Sequence, residues 1–271
     1  MDNKIKFSVI FPIYKKVSPK IFKISFDSIL NQSLMPNELI VIYDGPVHQN
    51  IKNYINKKKR KFKIIKILNF PTNNGLGYVL KRAINYSTSD YIARCDADDI
   101  SFNNRFKDQI NFISKNRNID VLSSNVLESH KNKIYKKNVP EKHSEIKKKI
   151  FYRNPINHSS VILKKNTILK VGNYEDVRFF EDYFLWYKIK LYKGKFYNLQ
   201  NYHVKMNVDN EYYVRRSGYK YFLYYLNFLN KLKSRKMIGY LNYFINIILR
   251  FNVIYLPTYI LSKIYNIFLR S

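Results

Sequence analysis

Apolar positions in the first hundred residues fall into short continuous runs, separated by longer stretches with helical spacing. KFSVIFPIY (6–14) is β-branched and aromatic, which predicts a strand buried on both faces. From Pro19 to Gln32, the positions Ile21, Ile24, Phe26, Ile29 and Leu30 lie roughly on one face and predict a helix. ELIVIYDG (38–45) predicts a second buried strand, residues 48–60 a basic helix, and KFKIIKIL (61–68) a third strand. The loop FPTNNGLG then leads into a helix ending near 87, and DYIARC (90–95) is a fourth strand that runs into DADD. This alternation predicts an α/β architecture, a mostly parallel sheet flanked by helices. Ligands of such sheets bind beyond the carboxyl ends of the strands. Asp44, the Asn73–Gly77 loop and Asp96–Asp99 all fall at such ends.

Past residue 100 the pattern is mixed. A helix is expected at 102–116 and a strand at 119–127 (IDVLSSNVL), then a Lys-rich excursion at 131–149. NPINHSSVIL (154–163) follows, and EDYFLWYKIKLY (181–192) has the length and spacing of a helix. Beyond about 205 the character changes again: residues 212–271 carry 16 aromatics among Leu, Ile and scattered Lys/Arg, and Pro257 breaks the last helical run. The expected division is a domain at 1–205 and a basic, aromatic, helical region at 206–271.

Composition narrows the chemistry. With 46% hydrophobic and 17% aromatic residues, the 271-residue chain can bury a core, which excludes intrinsic disorder. One cysteine excludes a disulfide framework or a Cys-held zinc, and five scattered histidines form no HExxH pair. Neither GxxxxGK nor GxGxxG occurs, so a bound nucleotide would not sit in a Walker or dinucleotide loop.

A formal charge of +30 points to an anionic partner: nucleic acid, an acidic membrane surface or a phosphorylated substrate. Its distribution says more. The last 60 residues hold ten Lys/Arg and no carboxylate, whereas seven of the 19 acids lie in two clusters, Asp96/Asp98/Asp99 and Glu175/Asp176/Glu181/Asp182. Like charges so close repel unless a cation, a proton or a hydrogen-bond donor compensates. No stretch reaches the ~18 apolar residues of a bilayer span, and no export-type leader is evident, so a cytoplasmic location is expected.

Each cluster has a bland reading and a chemical one. DADD suits a turn that caps a helix; at the end of a strand it also suits Mg²⁺ or Mn²⁺ shared with a diphosphate. Asp44 in YDGP is ordinary turn chemistry, or a carboxylate that accepts from a nucleobase or ribose. Glu181 and Asp182 fit a helix N-terminus, and equally a general base in an aromatic cleft. His158 and His203 are read as structural, and Arg215–Arg216 as a phosphate clamp or a solvated face.

Taken in chain order, FSVIFPIYK, SILNQS, ELIVIYDGP, NNGLGYVLKRAI, YIARCDADD and FFEDYFLW resemble glycosyltransferase family 2, inverting enzymes with a GT-A fold. The resemblance covers roughly residues 6–205, and extends loosely through YVRRSGYKY to LPTYILSKIYNIFLR, as in bacterial capsule, exopolysaccharide and lipopolysaccharide sugar transferases. It implies that Pro12 and Tyr14 line a nucleotide pocket and that Asp44 reads the base, usually uracil. It implies further that Asp96 contacts the ribose or sugar side of the donor, and that Asp98, with Asp96, holds Mn²⁺ or Mg²⁺. Lys81 or Arg82 would approach the nucleotide, and Asp182, with Glu181 beside it, would deprotonate the acceptor hydroxyl. Two departures stand out: Tyr43 occupies the place of a usual acid before Asp44, and His203 is displaced from the position of the family's C-terminal His. The implied partners are a nucleotide-sugar donor, expected from the resemblance to be a UDP-sugar, and a glycan or lipid-linked acceptor, with no nucleic acid. The carboxylate-free C-terminal region would lie peripherally at the inner face of the membrane, or else form a homodimer interface. A sugar-phosphate nucleotidyltransferase and a basic nucleic-acid-binding protein are the rival readings.

Overall fold

The computed structural model describes residues 5–131, 133–209, 212 and 214–255, the last four by backbone alone. Pro257 and the LPTYILSKIYNIFLR segment lie outside the described residues. Strand β1 (Phe7–Tyr14) runs parallel to β2 (Glu38–Asp44) on one side and to β4 (Tyr91–Arg94) on the other, with β3 (Ile65–Phe70) parallel beyond β2. The chain therefore reverses its direction of travel across the sheet between β1 and β4, which opens a crevice at their carboxyl ends.

The sheet becomes mixed beyond β4. The short β8 (Ile162–Lys164) is antiparallel to both β4 and β6 (Val121–His130). β6 runs parallel to β9 (Phe196–Asn207), and β9 pairs with the two-residue β5 (Ile100–Ser101). The Lys-rich excursion forms β7 (Lys133–Lys137), a hairpin partner of β6, and the helix α5 (His143–Lys149).

Helices cover both faces, as the continuous apolar strands require. Phe7, Val9, Phe11 and Ile13 of β1 pack in one cluster with α1 (Pro19–Leu30), α2 (Gln49–Lys61) and α4 (Arg105–Lys115). Ile10 of the same strand, with Ile40 and Ile42, faces α3 (Leu76–Tyr86) and α7 (Glu181–Leu191), while α6 (Lys165–Lys170) adds Ile168. Tyr221, Phe222, Tyr225, Phe228, Leu229 and Leu232 of α8 (Gly218–Ser234) belong to that second cluster, and α9 (Tyr240–Tyr255) lies against α8. The third strand begins at Ile65 rather than Lys61. α2 continues through Lys61, where Lys58–Lys61 in its last turn complement the helix dipole, and Phe62 N–H closes it on the Lys58 carbonyl.

Candidate active site

Tyr14 and Asp44 are register neighbours at the carboxyl ends of β1 and β2. Gly45 follows at φ +86°, and a Cβ there would lie 3.0 Å from the Asn73 nitrogen, so only glycine lets the 72–75 loop fold against the strand end. That loop fixes Asp44: Asn74 N–H donates to Oδ1 at 2.7 Å and the Asn73 amide to Oδ2 at 3.2 Å. Burial nevertheless pushes the carboxyl above its usual range. Pro12 is buried within β1. Ile10 O accepts from Cys95 N–H on the β4 side, and position 12 turns its backbone to that same side, where the β4 ladder has already ended. A residue with no N–H therefore leaves nothing unpaired there.

Asp96–Asp99 form a turn rather than a continuation of the strand, with Asp99 N–H bonded to the Asp96 carbonyl at 3.4 Å. Arg94, only 7% exposed, pairs with Asp96 Oδ2. Behind it lies the fully buried Arg105, whose Nη2 donates to the Arg94 carbonyl at 2.7 Å and whose Nη1 donates to Ser101 Oγ and Cys95 Sγ. At Asp98 burial, and after it the charge of Asp96, push the carboxyl up to about 6. Asp99 accepts from Asn207 N–H at 3.0 Å, but its Oδ2 is buried without a partner, and its carboxyl is pushed far up by burial and by its two neighbours. Hard oxygen donors in a negatively charged pocket suit a divalent cation shared with a diphosphate. No group of three or more His, Cys, Asp or Glu suited to a metal occurs among the described residues.

Glu181 and Asp182 open α7. Its N-cap, Phe180, offers no side-chain acceptor, so the two acids meet the free N–H groups of the first turn, and Asp182 accepts from Tyr183 N–H. The Asn154 amide donates to Asp182 Oδ2 at 2.7 Å and orients it. Burial raises Asp182, and raises Glu181 to about 7. The same guanidinium of Arg94 that pairs with Asp96 favours the ionised form of Asp182. The buried Tyr174, whose hydroxyl bonds His158 Nε2 at 2.7 Å, feels Asp182, Glu181 and Asp96 together. Asp96 and Asp182, far apart in sequence, thus share Arg94 and Tyr174 as electrostatic neighbours.

The structure brings Tyr14, Asp96, Asp98 and Asp182 into one electrostatic neighbourhood, with Asp44 and Pro12 at adjacent strand ends. Lys81 and Arg82 stand exposed on α3, and the charge of Lys81 bears on Lys188 of α7. Arg215 and Arg216, left open by sequence, both reach the site: Arg215 donates to the Tyr14 hydroxyl and faces Asp98, and Arg216 faces Asp182 and stacks 3.8 Å from the Tyr212 ring centroid. Sequence reasoning missed Arg94 and Asn154. An arginine inside the apolar strand YIARC was a readable signal for the first; nothing in NPIN marked the second. His203 is structural, 3.1 Å from Asp108 and 2% exposed.

Residues 8–177 match the family model described as glycosyl transferase family 2. The Escherichia coli UDP-Gal:alpha-D-GlcNAc-diphosphoundecaprenol beta-1,3-galactosyltransferase is 35% identical over 275 residues, covering 99% of either chain. Among solved structures, Staphylococcus aureus TarS 1-349 in complex with UDP-GlcNAc superposes with a TM-score of 0.65 at 18% identity, over 84% of this chain and 66% of that one. The mannosyltransferase PcManGT from Pyrobaculum calidifontis, in complex with GDP-Man and Mn2+, superposes at 0.64 and 13% identity, over 97% of this chain and 73% of its own. At those identities the likeness speaks for the fold, which is the GT-A fold expected from sequence. The extent of the family match and the full-length identity carry the rest: the chain belongs to glycosyltransferase family 2.

Proposed function

We propose that the protein transfers a sugar from a UDP-sugar to a hydroxyl of a lipid-linked or growing bacterial surface glycan, with inversion at the anomeric carbon. The observation that carries this reading is the convergence of the Asp96–Asp99 turn and Asp182 on Arg94 and Tyr174. It supports reading the turn as a diphosphate-binding edge and the half-buried Asp182 as the base, the pairing a single displacement needs.

Asp44 and Pro12 hold the nucleoside at the ends of β1 and β2, and Asp96, locked by Arg94, lies toward the ribose and donor sugar. Asp98, the less committed carboxylate of the turn, with Asp96 beside it, is the ligand for Mn²⁺ or Mg²⁺. When bound, the cation offsets charge that develops on the departing diphosphate. Arg215 and Arg216 approach from the other side, and their guanidinium forks match phosphate oxygens. Asp182, steadied by Asn154, accepts the acceptor proton as that oxygen attacks; its raised pKa makes it a better base than a surface carboxylate. Glu181 stands beside it. Support for a lipid-borne acceptor comes from the name of the E. coli relative and from the basic C-terminal region, which would hold the enzyme peripherally at the inner face of the membrane.

A screen of UDP-, GDP- and dTDP-sugars with Mn²⁺, reading binding and slow donor hydrolysis, tests the proposal. A preference for UDP-sugars that is lost in Asp98→Ala supports it. Equal indifference to every nucleotide sugar would remove it.

A further inference from the structure

Helix α9 is apolar on both faces. Its face toward the protein sets Tyr243 and Ile247 against the core together with two polar groups. Asn246, 4% exposed, accepts from the Tyr225 hydroxyl and donates to the Phe151 carbonyl at 2.8 Å, and Arg250 lies over the rings of Tyr221 and Tyr225. The outward face is aliphatic and aromatic: Leu241 is 74% exposed, Ile248 61% and Phe244 55%, flanked by the exposed Tyr240, Leu249 and Phe251. Positions 241, 244, 248 and 251 fall on one stripe at helical spacing. A helix that borders water carries polar residues on its outward face, and continuous apolar surface of this extent marks an interaction site.

From these observations we propose that α9 is the membrane-docking element, seated with its Leu241–Phe244–Ile248 stripe in an anionic phospholipid leaflet. Charge selects this occupant over a second copy of the chain. Residues 212–271 hold no carboxylate, and while Arg215, Arg216, Arg235 and Arg250 are engaged elsewhere, Lys233 sits 4.2 Å and 4.7 Å over the rings of Tyr240 and Tyr243 at the patch rim. A second copy would meet these cations with its own, whereas lipid phosphates complement them. The placement deepens the transferase reading, from which it takes only the lipid-borne acceptor. Through Asn246, α9 bonds the carbonyl of Phe151, three residues before the Asn154 that holds Asp182, so the helix is tied to the segment that orients the base.

Flotation of the full chain with phosphatidylcholine vesicles, with and without phosphatidylglycerol, tests this. The wild type should float with the anionic vesicles in a salt-sensitive way. Phe244→Glu combined with Ile248→Glu should lower partitioning at least about tenfold, while transfer to a water-soluble acceptor stays unchanged. As a second readout, a polarity-sensitive dye on Ile248→Cys should shift to the blue on adding anionic vesicles, and one on Lys57→Cys of α2 should not. Equal partitioning of wild type and variant, no shift at 248, or a wild-type dimer that the variant dissolves without any vesicle binding would each overturn the assignment. Flotation without turnover of any nucleotide sugar would instead sink the transferase reading and leave the docking face standing.

Discussion

Asp182 and Glu181 are adjacent, and burial raises both, yet they report on different things. As the proposed base, Asp182 would work only when ionised, so turnover should rise with pH through its raised pKa and then level off. Asp182→Asn should lower turnover by about 10²–10⁴ with UDP-sugar affinity retained; steady-state rates paired with calorimetric donor binding check this. Glu181 holds its proton up to about 7 in the folded chain, against 4.5 unfolded. Between those values the folded state binds more protons, so its contribution to stability falls as pH rises through that window. Glu181→Gln should therefore flatten the loss of stability between pH 5 and pH 8, by up to about 3 kcal/mol. Urea denaturation at both pH values reads the difference. Asp44, Asp98 and Asp182 were legible as residues because acids are scarce in this chain and each ends or begins an apolar element. Of their partners, Arg94 carried one readable signal, its place inside an apolar strand, whereas Asn154 meets Asp182 only through the tertiary fold.

At the level of elements, α7 is buried nearly all round, so its position depends on what packs against it. Phe228 of α8 stacks on Phe180 at 5.0 Å and Tyr183 at 5.1 Å, and Arg235 grips Glu175 with bonds of 2.7 Å and 2.8 Å. Phe228→Ala should cost about 3–5 kcal/mol, measured by chemical denaturation, and should lower turnover by displacing Glu181 and Asp182. On the opposite side of α7, a Cβ on Gly77 would stand 2.6 Å from the Glu175 carbonyl oxygen and 3.1 Å from Glu181 Cγ. Gly77→Ala should destabilise by about 1–3 kcal/mol, visible as a lower melting temperature, because backbone rather than a flexible side chain must give way. The parallel strands were readable since their apolar runs admit few alternatives; their ends lie within a residue or two of expectation except in β3. The two-residue β5 and the β6–β7 hairpin were not, because so short a strand leaves no periodic trace and a Lys-rich strand at a sheet edge resembles a loop.

For the whole molecule, the division expected near residue 205 falls at the end of β9, but α8 beyond it shares the hydrophobic cluster of α3 and α7. Ending the chain after Ser217 would uncover Phe180, Tyr183 and Phe184, so the remainder should be recovered aggregated or unfolded, a result that solubility and near-ultraviolet circular dichroism decide. Sequence could not show this: 16 aromatics among Lys and Arg suit a surface-bound helix as well as a core one. The first half of the sheet has all its strands parallel, and among the described residues the second half joins it through β8, paired over three residues with β4 and two with β6. The outward face of α9 has a further consequence. With that helix seated in a leaflet, enzyme and lipid-borne acceptor would move in the same plane, and their encounter becomes a search over an area instead of through a volume. The local density of acceptor then sets the encounter rate, so a weak intrinsic affinity for the acceptor sugar would suffice, and each released product would already lie where the next enzyme of the sequence can reach it.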